Sequence, residues 1–245
     1  MNVDDEVFFV SCAPPECKKW MSKLSNHTKL CGLNIPGSHD CAAINKTARG
    51  TWDRHEHTIT EQLELGLRLF DLRIAFVPTK AASSMTKQFC FMTTHGTGKQ
   101  YQSLISLMDE FKQYLLATPS EFIVVNFQVD DGDIHDTQAI SELTMLLDEF
   151  KEYYYYIPTG ATNLPTESLK VGDLRGKMVL LSRIITVTDS NFGFPLEEWV
   201  THQNCEYLLA NSTKAMGAIS FYVQDKFKFD ISDRPVSNIE LKDAY

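Results

Sequence analysis

The chain has 245 residues, of which 43% are hydrophobic and 22% are charged, and its formal net charge is −9. This length and balance are typical of a globular protein with one large domain or two small ones. The acidic charge, without a basic stripe, argues against a nucleic-acid partner and against a polybasic membrane anchor, and no apolar run is long enough to span a bilayer.

The first 19 residues predict an irregular leader, in which Pro14 and Pro15 break any helix. Its acidic start lacks the basic charge and the apolar middle of a secretory signal. We therefore expect a cytoplasmic protein, or a secreted one if a signal peptide has been removed. The cysteines are scattered without a Cys-x-x-Cys pair, so a zinc or redox site is not expected.

Predicted strands and helices alternate along the rest of the chain. A short helix is predicted at 20–24, strands at 31–35, 68–75, 89–94, 122–127, 178–181 and 218–223, and longer helices at 59–65, 104–117 and 140–154. This alternation predicts parallel strands in a TIM-like (β/α) barrel over residues 20–245. A closed barrel of this class has eight strands. Since the sequence supplies about six, we expect the barrel to be incomplete at its C-terminal side.

The first predicted strand ends in a Pro-Gly turn that is followed by His39 and Asp40. Catalytic side chains of such barrels lie on the loops that follow the strands. Histidine is also the residue best suited to move protons near neutral pH. For this short motif alone, the alternative is a surface loop with an incidental His-Asp pair.

Polar residues of this kind recur at three successive strand ends. The segments read Ile35-Pro36-Gly37-Ser38-His39-Asp40, then Gly66-Leu67-Arg68-Leu69-Phe70-Asp71-Leu72-Arg73, and then a strand that ends in His95-Gly96. In this order they resemble the X domain of phosphatidylinositol-specific phospholipase C, in particular the small bacterial enzymes and the eukaryotic X-domain-only proteins. The resemblance covers residues 20–229, which is most of the chain.

The resemblance implies an internal transphosphorylation, in which the inositol 2-hydroxyl attacks phosphorus and diacylglycerol leaves. It assigns His39 as the general base, His95 as the general acid and Arg73 as the clamp on the phosphate oxygens. Asp40 would hold His95. Asp71 would orient the Arg73 guanidinium or bond His39, and a purely structural pairing with Arg73 is the alternative.

The resemblance also indicates that the site needs no metal. The large eukaryotic members bind calcium, and they carry Asn after the first His and an acidic residue where Arg73 stands. This chain has Asp40 and Arg73 instead, which is the metal-independent pattern. We therefore expect neither a metal nor another cofactor, because the guanidinium takes the place of the cation.

Four further residues match positions that contact inositol in the bacterial enzymes. Arg183 follows the fifth predicted strand, Asp225 and Phe227 follow the sixth, and Gln128 ends the fourth. The bacterial enzymes have Lys at the position of Gln128 and Tyr at that of Phe227. The alternatives are an exposed strand-end arginine for Arg183 and a capping aspartate for Asp225. Those enzymes also take an Asp from a seventh strand to hold the base, and we expect no equivalent here.

Two functions from different classes stay open at this point. The resemblance implies metal-independent cleavage of a phosphatidylinositol-type lipid at a membrane surface, giving diacylglycerol and inositol phosphate or its cyclic form. The alternative is an inactive or fragmentary X-domain protein that binds inositol lipids or partners without turnover. Glycerophosphodiester hydrolysis would need a carboxylate-rich calcium or magnesium site, which the sequence beside His39 does not indicate. The preferred lipid and the oligomeric state are not determined by the sequence.

Overall fold

The structure is a computed structural model that describes residues 16–44, 57–79, 88–95, 98–155, 169–182, 194–195, 198–201, 207–212 and 219–224. Its strands are β1 Gly37–Ser38, β2 Leu69–Thr79, β3 Gln88–His95, β4 Gly98–Ser103, β5 Ile123–Asp131, β6 Met178–Ser182, β7 Phe194–Pro195, β8 Glu198–Thr201, β9 Tyr207–Ser212 and β10 Ile219–Gln224. Its α-helices are α1 Ile59–Glu64, α2 Leu104–Ala117, α3 Thr137–Asp148 and α4 Val171–Leu174. Three 3₁₀ helices span Cys17–Lys23, Leu30–Gly32 and Lys151–Tyr153.

The main sheet is mixed and open. Its strand order is β4-β3-β2-β5-β6-β7, with β1 beside β2. Strands β1, β2, β5, β6 and β7 are parallel, whereas β3 and β4 run antiparallel to their neighbours. Within the described part of the chain, the edge strands β4 and β7 do not pair with each other. The fold is therefore an incomplete α/β barrel, as the sequence predicted.

The prediction that all strands are parallel is wrong for β3 and β4. A parallel crossover needs a dozen or more residues, but only residues 80–87 join β2 to β3 and only residues 96–97 join β3 to β4. Both connections are therefore hairpins. Strand β4 was not predicted at all, because its residues, Gly98–Ser103, lack the apolar alternation of a half-buried strand.

Three other predicted elements differ from the structure. The first strand is only Gly37–Ser38, because a 3₁₀ helix occupies Leu30–Gly32 where the strand at 31–35 was expected. The short N-terminal helix is also a 3₁₀ helix and begins earlier, at Cys17. The sixth predicted strand exists as β10, but it pairs with β9 in a separate antiparallel sheet, β8-β9-β10. It is therefore not a parallel strand of the main sheet.

The helices that cover the main sheet begin at capping side chains. The Thr58 hydroxyl accepts a hydrogen bond from the Glu61 backbone N–H, and the Glu61 carboxylate accepts one from the Thr58 backbone N–H, which is a capping box. Ser103 caps α2 and Asp136 caps α3. The predictions of α1 and α2 are confirmed. The third helix, predicted at 140–154, is shifted to Thr137–Asp148. It starts earlier because Asp136 accepts the first free backbone N–H groups, and a separate 3₁₀ helix occupies Lys151–Tyr153.

The core lies on both faces of the main sheet, since side chains alternate along each strand. On the face covered by α1, α2 and α3, the buried residues of β2 and β5 are Phe70, Leu72, Ile74, Phe76, Ile123, Val125 and Phe127. The opposite face carries the apolar cluster of Met21, Leu30, Phe122, Val124, Leu169, Val171, Leu174, Val179 and Leu181. We call this second face the inner face. Along β2 and β5 it changes from apolar to polar residues after Leu69 and Val124.

A buried ion pair joins several elements at the start of β2 and β5. Arg68 and Glu121 are each 0% exposed, and Arg68 Nη2 lies 2.8 Å from Glu121 Oε2. Arg68 also donates to the backbone carbonyls of Leu63 and Lys18, and its guanidinium contacts the Tyr114 hydroxyl. This network holds the N-terminal 3₁₀ helix against α1 and α2.

Among the described helices, none has both the length and the apolar composition that a membrane crossing requires.

Candidate active site

The predicted site residues lie beside the middle of β2, where neither β1 nor β3 pairs with it. Strand β1 pairs with β2 at Leu69 and Phe70, and β3 pairs with it only from Ile74 onward. Strand β1 approaches this part of β2 from one end of the strand, and the antiparallel strand β3 approaches it from the other. The residues that follow β1 and the last residue of β3 therefore meet beside the middle of β2.

The loop after β1 is held tightly against β2. Gly37 packs so closely that a Cβ atom there would lie 2.9 Å from a methyl carbon of Leu69 and 3.1 Å from its carbonyl oxygen. The Cys41 backbone N–H donates to the Asp71 carbonyl at 3.0 Å. Asp40 has a φ of +48°, in the left-handed region that Asp adopts more readily than most residues. These contacts fix the position of His39 and Asp40.

Asp40 contacts both histidines and the arginine. Its Oδ2 lies 3.1 Å from His39 Nε2 and 3.2 Å from His95 Nε2, and its Oδ1 lies 3.0 Å from Arg73 Nε. The Asp40 side chain is only 3% exposed. The structure thus brings together His39, Asp40, Arg73 and His95, which are distant in sequence.

Asp71 contacts both of the partners that the sequence left open. Its Oδ2 lies 3.1 Å from His39 Nδ1 and 3.1 Å from Arg73 Nη2. Its Oδ1 accepts a hydrogen bond from Asn126 Nδ2 at 2.8 Å. Asp71 therefore makes both contacts that the sequence offered as alternatives, and it holds His39 from the Nδ1 side.

Both ring nitrogens of His39 face carboxylate oxygens, Asp40 at Nε2 and Asp71 at Nδ1. An ionised carboxylate only accepts hydrogen bonds, so both contacts are hydrogen bonds only when the ring carries a proton on each nitrogen. For His39 to accept a proton, one of these contacts must open. The Asp40 contact is the one that can open, because the same oxygen also faces His95 Nε2.

The cations of the site keep its carboxylates ionised. Burial favours the neutral form of Asp71, but the hydrogen bond from His39 and the charge of Arg73 outweigh it and lower the pKa of Asp71 to about 2. Burial opposes ionisation of Asp40 as well, and its pKa is still lowered by His39 and Arg73. Burial alone would lower the pKa of Arg73, yet the charges of Asp71, Asp40 and Asp130 raise it.

These shifts predict a loss of stability in acid. In the unfolded chain the pKa of Asp71 returns to near 3.8, so the unfolded state binds protons first as the pH falls. The contribution of the ionised Asp71 to the free energy of unfolding is fully present above about pH 5, and it is lost as the pH falls through about 2. For Asp71 it amounts to about 2 kcal/mol. Urea unfolding at pH 6, 4 and 2.5 measures it, and Asp71→Asn should unfold with a shallower pH dependence. An equal dependence in both chains would contradict the assignment.

Two polar residues of β5 that sequence analysis did not select, Asn126 and Asp130, complete the site together with Gln128, which it did select. Asn126 pairs in register with Asp71, and Gln128 pairs with Arg73. Gln128 Nε2 donates to Asp130 Oδ1 at 2.8 Å, and the same Asp130 oxygen lies 3.5 Å from Arg73 Nη1. The signal was present in the sequence, since residues 126, 128 and 130 are polar at every second position of a strand.

Three predicted site residues, Arg183, Asp225 and Phe227, lie outside the described residues. Their proximity to the other site residues remains a prediction from the sequence. Gln128 is the one predicted inositol contact within the described part of the chain. It lies on β5, where its register partner on β2 is Arg73.

The site also offers a possible set of metal ligands. One atom each of His39, Asp40 and Asp71 lies within 4.8 Å of the others. The sequence did not indicate a carboxylate cluster beside His39, but the structure forms one. However, Arg73 Nε lies 3.0 Å from Asp40 Oδ1, and Arg73 Nη2 lies 3.1 Å from Asp71 Oδ2. A cation placed among these oxygens would be repelled by the guanidinium and would have to displace it.

Comparison with known proteins identifies relatives of one kind, although no family model matches the chain. A 1-phosphatidylinositol phosphodiesterase of Staphylococcus aureus is 29% identical over 237 residues, which are 91% of this chain and 68% of the relative. The structure of a phosphatidylinositol-specific phospholipase C from Listeria monocytogenes is also similar. The match covers 68% of this chain and 56% of the Listeria chain, at 26% identity and a TM-score of 0.55.

A solved structure from Staphylococcus aureus, described as concerning membrane binding of its phosphatidylinositol-specific phospholipase C, shares the fold. The match covers 88% of this chain and 68% of the Staphylococcus aureus chain, with 21% identity and a TM-score of 0.60. These relatives support the resemblance that the three sequence motifs indicated. The chain spans between about half and two thirds of the length of the proteins it matches.

Proposed function

We propose that this chain, a relative of the phosphatidylinositol-specific phospholipase C X-domain proteins, is a phosphodiesterase that cleaves phosphatidylinositol-type lipids. The products are diacylglycerol and an inositol phosphate, with a cyclic phosphate formed first. One observation supports this proposal above all others. The buried Asp40 carboxylate contacts His39, His95 and Arg73 at 3.0–3.2 Å, so a base, an acid and a phosphate-binding cation lie around one point.

In this proposal each of the three side chains has one task. His39 removes the proton from the inositol 2-hydroxyl, which then attacks phosphorus and forms the new P–O bond. His95 donates a proton to the glycerol oxygen as its bond to phosphorus breaks. Arg73 uses the N–H groups that face away from Asp40 and Asp71 to bind the non-bridging oxygens.

Asp40 and Asp71 would control the protonation of the two histidines. When the substrate hydroxyl approaches His39 Nε2, it replaces the Asp40 oxygen, which keeps its contact with His95 Nε2. Asp71 remains on His39 Nδ1 and stabilises the imidazolium that forms. The two carboxylates thus favour a base at His39 and an acid at His95.

The proposal includes a metal-independent mechanism and a site of action at membrane surfaces. The guanidinium of Arg73 supplies the positive charge that a cation would otherwise provide, which supports the first part. The second part is supported by the name of the Staphylococcus aureus relative, a 1-phosphatidylinositol phosphodiesterase, because phosphatidylinositol is a membrane lipid. The cytoplasmic location expected from the sequence also belongs to the proposal.

A binding protein without turnover is the second candidate. One geometric observation favours it, since His39 is held between two carboxylates and is not free to act as a base until one contact opens. Binding without turnover and catalysis differ in what happens to a bound lipid, so an assay of the product separates them.

Release of diacylglycerol from phosphatidylinositol vesicles in excess chelator tests the proposed function. We expect release by the natural chain, and a loss of roughly 10²-fold in Arg73→Lys, because lysine keeps the charge but lacks the planar fork. Added calcium should not restore the Arg73→Lys variant. No release from a folded chain that still binds the vesicles would support the second candidate, and release only with calcium would contradict the metal-independent mechanism.

A further inference from the structure

We propose that Asn126 is a positioning residue that keeps the Asp71 carboxylate directed at His39. This inference rests on the proposed function, because it assigns Asn126 a role in preparing the base. Asn126 does not contact His39 in the described structure. It would act through Asp71, whose Oδ1 accepts its amide hydrogen bond at 2.8 Å.

The fold places the two residues side by side. Asp71 and Asn126 are register partners of the adjacent parallel strands β2 and β5, and both side chains lie on the inner face. Asn126 is 2% exposed and Asp71 is 7% exposed. The strand backbones fix the Cβ positions of both residues. The short Asn126 side chain therefore reaches the Asp71 carboxylate with few rotatable bonds.

The geometry shows what the amide prevents. Arg73 has a planar fork that can take both oxygens of a carboxylate, and its Nε and Nη2 already lie 3.2 and 3.1 Å from Asp71 Oδ2. If Asp71 Oδ1 were free, the carboxylate could turn to pair with Arg73 through both oxygens and leave His39 Nδ1. The Asn126 hydrogen bond occupies Oδ1, so that Oδ2 is left for His39, Arg73 and the Asp40 backbone N–H.

The surroundings of Asn126 argue that it is not present for stability. It interrupts a run of buried apolar residues in β5, between Val125 and Phe127. Its Oδ1 is buried and has no hydrogen-bond partner among the described residues. A buried amide oxygen without a partner is destabilising, and an apolar residue would fill the space without that defect. The amide is therefore retained for the bond that its nitrogen donates.

The test compares Asn126→Leu with the control Thr118→Val. Both variants remove one buried side-chain hydrogen bond, since the Thr118 hydroxyl donates to the Tyr114 carbonyl. Thr118 is the C-cap of α2, and its hydroxyl bonds within that helix end and not to a residue of the site. Circular dichroism and urea unfolding verify that both variants fold.

The first measurement is the ¹⁵N resonance of the His39 ring in the full chain, which does not depend on catalysis. Asn126→Leu should shift the Nδ1 resonance by several ppm at constant pH, because Asp71 no longer accepts its proton. Thr118→Val should leave it unchanged. An unchanged His39 signal in folded Asn126→Leu would overturn the proposal, whether or not the chain is active.

The second measurement is the rate of phosphatidylinositol cleavage. We expect kcat of Asn126→Leu to fall roughly 10- to 100-fold, by analogy with the loss of residues that orient metal ligands in other enzymes, with KM changed less than about 3-fold. Thr118→Val should retain the kcat of the natural chain. A fall in kcat of similar size in both variants would overturn the proposal. Absence of cleavage by the natural chain would reject the proposed function alone, and the His39 resonance would still decide the role of Asn126.

Discussion

His39→Ala is expected to reduce the cleavage of phosphatidylinositol by roughly 10²- to 10⁴-fold, the range that general acid–base catalysis contributes. His39 is the proposed base, and its two ring nitrogens lie 3.1 Å from Asp40 and Asp71. Without the imidazole, the nearest proton acceptors are the Asp40 and Asp71 carboxylates, and their lowered pKa values make them weak bases. The loss is measured as the rate of diacylglycerol release from vesicles at neutral pH, at a protein concentration high enough to detect the slow variant.

The matched control for this substitution is His27→Ala. His27 is exposed in the turn before β1 and contacts none of the site residues in the described structure. This variant should keep the rate of the natural chain. A rate for His39→Ala within about tenfold of the natural rate would contradict the assignment of His39 as the base.

Arg68→Met is expected to destabilise the fold by about 3–5 kcal/mol, because it leaves the fully buried Glu121 carboxylate without its cation. Glu121→Gln should also be destabilising, since Arg68 Nη2 and Nε both donate to the Glu121 Oε2 atom. The double variant Arg68→Met, Glu121→Leu should recover much of the loss, because two apolar side chains leave no unpaired charge. Urea unfolding at pH 7 gives the free energies.

Lys18→Ala is the control for the buried pair, since it removes an ion pair between exposed side chains. Lys18 and Glu64 are 2.7 Å apart, and their side chains are 36% and 52% exposed. Exposed pairs contribute between 0 and about 1 kcal/mol, so this variant should unfold almost like the natural chain. A loss for Arg68→Met as small as that for Lys18→Ala would show that the buried pair does not hold the N-terminal segment.

The sequence predicted the site more completely than it predicted the sheet. The motif that ends in His39-Asp40 lies on the loop after β1, as expected, and Asp71, Arg73 and His95 contact it. Short motifs of this kind are local, because a turn and its flanking residues determine where the side chains project. The three motifs therefore indicated which side chains meet, although they did not indicate how the strands run.

The direction of β3 could not be predicted from alternation alone. A strand that ends in His95 gives the same apolar pattern in either direction, and only the short connections to β2 and β4 exclude a parallel crossover. In the structure the antiparallel direction brings His95 toward His39 from the opposite side. The sequence selected a residue that the structure places beside Asp40, but it predicted the wrong direction for the strand that carries it.

Arg68 and Asn126 show that belonging to a sequence motif does not decide whether a residue is part of the site. Arg68 belongs to the second motif, yet it is fully buried in a structural network and lies away from Arg73 and Asp71. Asn126 belongs to no motif, yet it contacts Asp71. Whether a polar residue of a strand is structural or part of a site depends on which residue lies opposite it on the neighbouring strand. The register of the two strands determines that residue.

Phosphorus NMR of the purified chain with phosphatidylinositol micelles and excess chelator tests the central claim most directly, because it identifies the product as well as the rate. The account predicts a growing resonance of inositol 1,2-cyclic phosphate that does not appear with His39→Ala. Persistence of the phosphatidylinositol signal alone, from a chain that circular dichroism finds folded, would contradict the claim that the cluster of His39, Asp40, Arg73 and His95 is catalytic.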